Sequence, residues 1–371
     1  MLAVTGMGMV SSLGLDAVTS CAAARAGMNR VGALDDLRVV DDETGEAVPV
    51  VGHQVPLISP GMFGYARLLQ LAIPAVEDLR RTDPAVDQRP VGLVLVVGSN
   101  WHRTAWIERR KQAPPSPAPP GDWAADERAL AAEAQRLSGA FLSNLAGRAR
   151  ISVQPGAQRV ILGDPSGFVT ALEQAATWLN QGACQTCWVG GIDSFLDPPT
   201  IQALTQLELL RTPANPVGLI PGEMACFLSL KSSRGRQAGQ ALAVIEGFAM
   251  ANGAGNRTEG GPPNPEPLLK AMATASGGGS IELAVVNLNG NAARAGEWGA
   301  ALVRRRAQGL SDGPGTWIPP LHFGEIGSAT APASIALLAR GWARGYAPAR
   351  KSLVCLMEDG PSRGAIAVNG P

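Results

Sequence analysis

Short apolar runs of five to ten residues recur along the chain, each closed by glycine, proline or a polar cluster. In the first part they stand at 2–6 (LAVTG), 92–99, 159–163, 186–192 and 224–230. A second set follows at 241–250, 282–289, 317–321, 352–357 and 364–368. Runs this short read as strands, and unbroken apolarity marks strands covered on both faces. Helical spacing is clearest over 165–181, where Phe168, Ala171, Leu172, Ala175 and Leu179 share one face. A second helix is predicted over 328–341, with Pro332 near its first turn, where proline is tolerated. Strands alternating with helices predict α/β layering. Five strands in each part predict a duplicated architecture, although no internal sequence repeat is visible. The stretch KSSRGRQAG (231–239) reads as a crossover, dividing the chain into 1–233 and 240–371. The Pro-rich segment 111–123 and the Gly/Pro-rich segment 251–267 read as surface loops.

The bulk composition narrows the function classes. With 371 residues, 46% hydrophobic and 17% charged, the chain can bury a sizeable core. Its 31 basic and 31 acidic residues cancel, giving no electrostatic case for nucleic acid or a membrane surface. The acidic run 35–46 and the basic triplet Arg304–Arg306 read as solvated surface. No basic n-region opens the sequence, and no apolar run approaches the ~20 residues needed to cross a bilayer. Five thinly spread cysteines fit a reduced, cytoplasmic protein.

Several segments, taken in order, resemble the β-ketoacyl synthase family of the thiolase fold. VTGMGMVSSLGLDAVTSCAAARAGMNRV is similar to the family's opening strand, Gly/Ser turn and helix. WVGGIDSFLDPPTIQAL is similar to the strand and loop after the nucleophile helix, and PVGLIPGEMACFLSLKSS to the strand that closes the first half. VVNLNGN, FGEIGSATAPASIALL and CLMEDGPSRGAIAV sit where the family keeps two histidine loops and a final Gly-rich turn. The resemblance implies a five-layered αβαβα fold of two similar halves, in a homodimer or a heterodimer with an active ketosynthase. It also implies an acyl carrier protein as a possible partner, docking on basic surface such as Arg304–Arg306, and no cofactor or metal.

The family's condensing chemistry needs a cysteine at a helix N-terminus, where unpaired N–H groups stabilise the thiolate and an oxyanion. In LGDPSGFVTAL (162–172) that position falls on Asp164. The two histidine positions fall on Asn289 and Glu325, the lysine before the second on Pro320, and the final turn EDGPSRG lacks its phenylalanine. An aspartate cannot form the acyl thioester, so the resemblance implies a non-condensing member.

Each candidate has a plain reading beside a chemical one. Asp164 followed by Pro165 is a favourable helix start, with the aspartate as N-cap. Alternatively Asp164, Asn289 and Glu325 face one pocket, where two carboxylates with separated pKa values perform acid–base work. Ser166, Glu223 and His322 are further pocket candidates; His322 reads as a satisfied loop histidine, and His53 and His102 have no partner motif. Cys184 and Cys187 form a Cys-x-x-Cys, but three residues apart on a strand they point to opposite faces. GMGMVSSLG (6–14) lacks the third glycine of a dinucleotide fingerprint, and GDPSG is not a hydrolase elbow. Trp101, Trp106 and Trp123, with Arg109 and Arg110, bracket the Pro-rich loop; they either form an interaction hot spot or anchor the loop ends.

The functional expectation is therefore a binding or partner subunit. It is either chain-length-factor-like or an adaptor for an unrelated protein, such as a secreted effector or assembly component. The alternative is an acyl-thioester (acyl carrier protein or CoA) decarboxylase, hydrolase or acyltransferase using Asp164 and Glu325.

Overall fold

The computed structural model describes residues 1–41, 44–56, 58, 61–83, 89–112, 122–233, 241–253, 263–310 and 312–371. Twelve strands and ten α-helices lie among them. The strands are β1 (Leu2–Ser11), β2 (Gly32–Val40), β3 (Ala47–Gly52), β4 (Val91–Val97), β5 (Val153–Leu162), β6 (Cys187–Ser194) and β7 (Glu223–Ser232). They continue as β8 (Ala243–Asn252), β9 (Ile281–Val286), β10 (Asp312–Trp317), β11 (Lys351–Met357) and β12 (Ser362–Asn369). The helices are α1 (Ala17–Arg25), α2 (Gly64–Thr82), α3 (Trp101–Gln112), α4 (Trp123–Ala149) and α5 (Gly167–Gln181). After them come α6 (Pro198–Gln206), α7 (Glu266–Ser276), α8 (Ala292–Ala307), α9 (Pro320–Phe323) and α10 (Thr330–Ala343).

Ten strands hydrogen-bond in the order β10-β9-β11-β12-β8-β1-β7-β6-β4-β5. The order hides a repeat. Counted within its own half, each set of five reads 3-2-4-5-1. Each half pairs strand 2 in parallel with strands 3 and 4, and strand 5 antiparallel to strands 4 and 1. The two sets meet along a three-residue antiparallel contact, Leu2–Val4 on β1 with Ala243–Ile245 on β8. The duplication that the strand count suggests is thus a duplication of topology, without a matching repeat in side chains.

Three apolar clusters separate five layers. One face of β4, β6 and β7 packs on α2 and α4. The opposite faces of both sheet halves close on α5 and α10, which lie between them. The far side of β9, β11 and β12 is covered by α7 and α8. Position decides composition here. Ten consecutive residues of α10, Thr330 to Ala339, are buried, so this helix is apolar on every side, as a sandwiched helix must be. A smaller cluster joins the β2–β3 hairpin to α6.

Close approach explains one glycine in the first strand of each half. A Cβ on Gly8 of β1 would lie 2.2 Å from the Ala75 carbonyl of α2, and one on Gly247 of β8 2.2 Å from the Ala275 carbonyl of α7. Each covering helix therefore rests directly on strand backbone.

Several expectations need correction. The acidic stretch 35–46 is not plain solvated surface: Leu37 and Val39 are buried in the β2–β3 hairpin. The run 317–321 is the end of β10 followed by α9, because Pro319 and Pro320 supply no strand N–H and begin a helix instead. Arg305 of the basic triplet is buried, donating to the Gly279 carbonyl, and Arg304 pairs with Glu266. Segments 113–121, 234–240 and 254–262, within the expected loops and crossover, lie outside the described residues.

Glu223, in the strand that closes the first half, is a structural pin. Fully buried, it takes both Nε and Nη2 of Arg67 on α2, the Val55 amide at 2.8 Å and the Ser194 hydroxyl at 3.0 Å. Breaking a buried pair strands one charge, whereas removing both partners does not. Glu223→Gln is expected to cost about 3–5 kcal/mol in chemical denaturation. Arg67→Met combined with Glu223→Gln should recover part of that loss.

Candidate functional site

The C-terminal ends of parallel strands are where the chain leaves each sheet half with unpaired backbone and free side chains. Ser99 follows β4, Asp164 follows β5, and Asp193 lies at the end of β6. From the second half, Asn287 and Asn289 follow β9, and Glu358 and Asp359 follow β11. Asn287 ties these last two ends together, donating to the Met357 carbonyl at 2.7 Å and accepting its amide at 2.8 Å. Glu325 enters from the turn after α9.

The three positions singled out by the family resemblance do come together. Asn289 Nδ2 donates to Glu325 Oε2 at 2.6 Å, and Glu325 and Asp164 line the same small cavity. Asp164 does not cap α5 through its side chain, as its place before Pro165 suggests. Its Oδ1 accepts from the Ser99 hydroxyl at 2.7 Å, while its backbone carbonyl receives the Gly167 amide at 2.9 Å. The Asp164 side chain is thereby turned toward the end of β4 and away from the helix.

Around these residues lies a cluster that the sequence did not announce. Arg294 of α8, fully buried, donates from Nη1 to Glu325 Oε2 at 2.7 Å and from Nη2 to Asp359 Oδ2 at 3.0 Å. His102 of α3 contacts the same Asp359 oxygen through Nε2 at 3.0 Å. Asp193 accepts the Ser194 amide at 3.0 Å and the Ser328 amide at 2.9 Å. Glu358 accepts the Ser166 amide at 2.6 Å. Gly327 is required at its position: its φ is +47°, and a Cβ there would lie 2.0 Å from Asp193 Oδ2.

Five carboxylates thus gather around Arg294 and His102, and burial favours the protonated form of Asp164, Asp193 and Glu358. It pushes Asp193 up to about 7, with the nearby charges of Asp164 and Glu325 adding to the effect. Glu358 is likewise held at about 7 by burial and then by Asp164. Burial also raises Asp164, against the Ser99 hydrogen bond that favours its charge. Burial opposes the Arg294 charge, but Asp359 and Glu325 outweigh it and raise its pKa. The cluster can hold and share protons among neighbouring carboxylates. Among the described residues, no group of three or more His, Cys, Asp or Glu side chains is placed to hold a metal ion.

Little empty space remains. The cavity between Asp164, Glu325, Trp101 and Phe195 measures about 10 Å³, and its neighbour beside Asp193 and Thr200 about 20 Å³. Each is close to the volume one water occupies.

The remaining sequence candidates spread out. Ser166 is buried beside Glu358, with its hydroxyl 3.5 Å from Met250 Sδ. Glu223 belongs to the Arg67 pair already described. His322 faces another groove, its Nδ1 3.2 Å from the Met28 carbonyl. Trp101 lines both small cavities. Trp106 and Arg110 stack at 5.9 Å, Arg110 pairs with Asp126 of α4, and Arg109 donates to the Gln206 carbonyl of α6. Trp123 is 37% exposed beside Lys111. Cys184 and Cys187 do not point apart. Cys184 lies in the turn before β6, and both sulfurs pack against Gly92 and hydrogen-bond, lowering Cys184 to about 7 and raising Cys187.

The raised carboxylates make stability depend on pH. Between about pH 4 and 7 the folded chain keeps protons that exposed acids have released. That contribution is complete below the unfolded pKa and is lost as pH rises through the folded one. Scanning calorimetry from about pH 5 to 8 should show stability falling by up to about 1.4 kcal/mol per pH unit for each such proton. Asp193→Asn with Glu358→Gln should flatten the profile.

No protein-family model matches the sequence, and no curated protein matches it. Solved structures do. A chain of the ishigamide ketosynthase/chain length factor is similar over 100% of this chain and 99% of its own, with a TM-score of 0.72 and 17% identity. A chain from the complex of a type II PKS acyl-carrier protein with its hexaketide-bound ketosynthase gives 0.71 at 14% identity, covering 100% and 99%. A β-ketoacyl synthase from Burkholderia phymatum STM815 gives 0.69 at 14% identity, again over 100% and 99%. The duplicated five-strand topology, the two central helices and these similarities together establish that the chain has the thiolase-like αβαβα fold of the β-ketoacyl synthases.

Proposed function

We propose that the chain is a non-condensing, ketosynthase-like subunit that works by pairing, in the manner of a chain length factor beside an active ketosynthase. The observation that carries this reading is the filled site. Ligand pockets run to several hundred Å³, whereas the cavities between Asp164, Glu325 and Asp193 hold about 10 and 20 Å³. Arg294, His102, Trp101 and Phe195 occupy the surroundings of the position where a condensing enzyme carries its acyl group. The thiol and the histidines are then supplied by the partner.

Two further points support pairing. Ketosynthase/chain length factor and ketosynthase/acyl-carrier-protein assemblies stand among the similar structures. In addition, β5 is the last strand of its sheet half, with one side unpaired by any described strand, and Gln158 and Arg159 on it are exposed. An open edge of this kind is a ready template for antiparallel pairing with a second chain. The same edge would serve the adaptor version, in which the bound protein is unrelated. An acyl carrier protein would need basic surface other than Arg304–Arg306, two of whose side chains are already engaged.

The enzymatic alternative, acyl-thioester decarboxylation or hydrolysis, draws support from the protonated carboxylates beside Asp164. Sedimentation and a turnover assay separate the readings. A ketosynthase from the same organism should form a one-to-one complex with the chain and condense acyl and malonyl thioesters, while the chain alone turns over neither. Gln158→Glu with Arg159→Glu should abolish the complex and leave the fold intact. Turnover by the isolated chain that vanishes in Asp164→Asn would instead establish the enzymatic reading.

A further inference from the structure

Two open spaces share no lining residue with the carboxylate cluster. Two adjoining cavities, of about 470 and 500 Å³, share Cys21 and Arg25 of α1 and Tyr346. Both are of the size that small-molecule sites occupy. Trp317, Leu321 and Leu337 form an apolar wall in the first, and Arg340 and Arg344 reach the second.

Charge in this groove runs one way. Three guanidinium groups, Arg25, Arg340 and Arg344, line it, and no aspartate or glutamate does. No described carboxylate forms an ion pair with any of the three. The acids that act on Cys21, Asp16 and Asp78, are engaged elsewhere. Asp16 accepts from Thr19 at the start of α1, and Asp78 takes the amides of Met9 and Ala17. Burial holds the Cys21 thiol up at about 12, so the floor of the groove is neutral.

The aromatic geometry adds a shape. Arg25 stands over Tyr346, its Cζ 4.2 Å from the ring centroid. A guanidinium held over a ring by cation–π attraction still has five N–H donors to offer an anion. Trp317 and Tyr346 stand 6.1 Å apart at 32°. A Cβ on Gly341 would come 3.0 Å from Trp317 and 3.4 Å from Tyr346, so both rings seat against α10 where it carries no side chain.

We propose that this groove binds a small organic anion with a flat aromatic body. Its anionic group is held by Arg25, Arg340 and Arg344, and its ring rests against Trp317 and Leu337. The shared chemistry is a planar ring bearing a carboxylate or a phosphate. An aromatic acid and a nucleotide both have it, and neither depends on whether the chain pairs with a ketosynthase.

Isothermal titration of the full chain with 2-naphthoate, its neutral analogue 2-naphthylmethanol and AMP tests the assignment. 2-Naphthoate should bind with a Kd of about 0.1 mM and exceed the neutral analogue at least about tenfold. Arg340→Gln with Arg344→Gln should remove that advantage while thermal stability stays near wild type. Arg344→Glu, an exposed single change, should do the same without any loss of packing. Binding of AMP with the same arginine dependence would assign the site to a nucleotide source of that chemistry. The proposal falls if no probe binds, if the neutral analogue binds equally well, or if the arginine variants bind like wild type. It also falls if the variants lose stability alone, because the arginines would then serve only the helix C-termini.

Discussion

A single guanidinium ties together three separate segments of the second half at the site. Arg294 comes from the first turn of α8, and its two carboxylate partners come from different places, Glu325 after α9 and Asp359 after β11. All three are buried, so none has solvent to fall back on. Desolvating an arginine is costly, and only close acceptors on both sides of the fork offset that cost. Once Arg294 is seated, Asn289 and His102 have fixed partners in Glu325 and Asp359. The loops after β9 and β11, and the start of α3, are then set by the same charge.

This arrangement has a consequence for chemistry. The space between the strand ends is taken by an ion-paired cluster, which leaves cavities of about 10 and 20 Å³. Excess negative charge is relieved by proton uptake on Asp193 and Glu358, since burial makes a neutral acid cheaper than a second unpaired anion. A site that is filled, paired and proton-sharing rigidifies the junction of the two sheet halves. The accessible features lie outside it: the free edge of β5 at one end of the sheet, and the arginine-lined groove between α1 and α10.

The same contrast appears in the placement of arginines. Arg67 and Arg294 are buried against carboxylates and act as structural pins. Arg25, Arg340 and Arg344 line open space with no acidic neighbour in the wall. Arginine serves both roles because its planar fork satisfies paired acceptors when buried, and its face stacks on an aromatic ring when exposed.

Strand and helix positions were legible in the chain because continuous apolar runs and helical spacing are local properties. Nine of the ten apolar runs overlap their strands well, and α5 and α10 begin within two residues of their expected starts. What local pattern missed had two sources. Gly6 and Gly8 interrupt the apolar run of β1, yet glycine is there because α2 sits on the strand. Leu37 and Val39 were hidden among acidic neighbours whose side chains face outward. At the site, motif order alone pointed to Asp164, Asn289 and Glu325. The meeting of Arg294, His102, Asp193, Glu358 and Asp359 with them was decided only by the tertiary structure. No sequence spacing encodes that meeting, because the partners of Arg294 lie 31 and 65 residues away and reach it only through the packing of α8 and the ends of β9 and β11, while His102 and Asp193 arrive from the other sheet half.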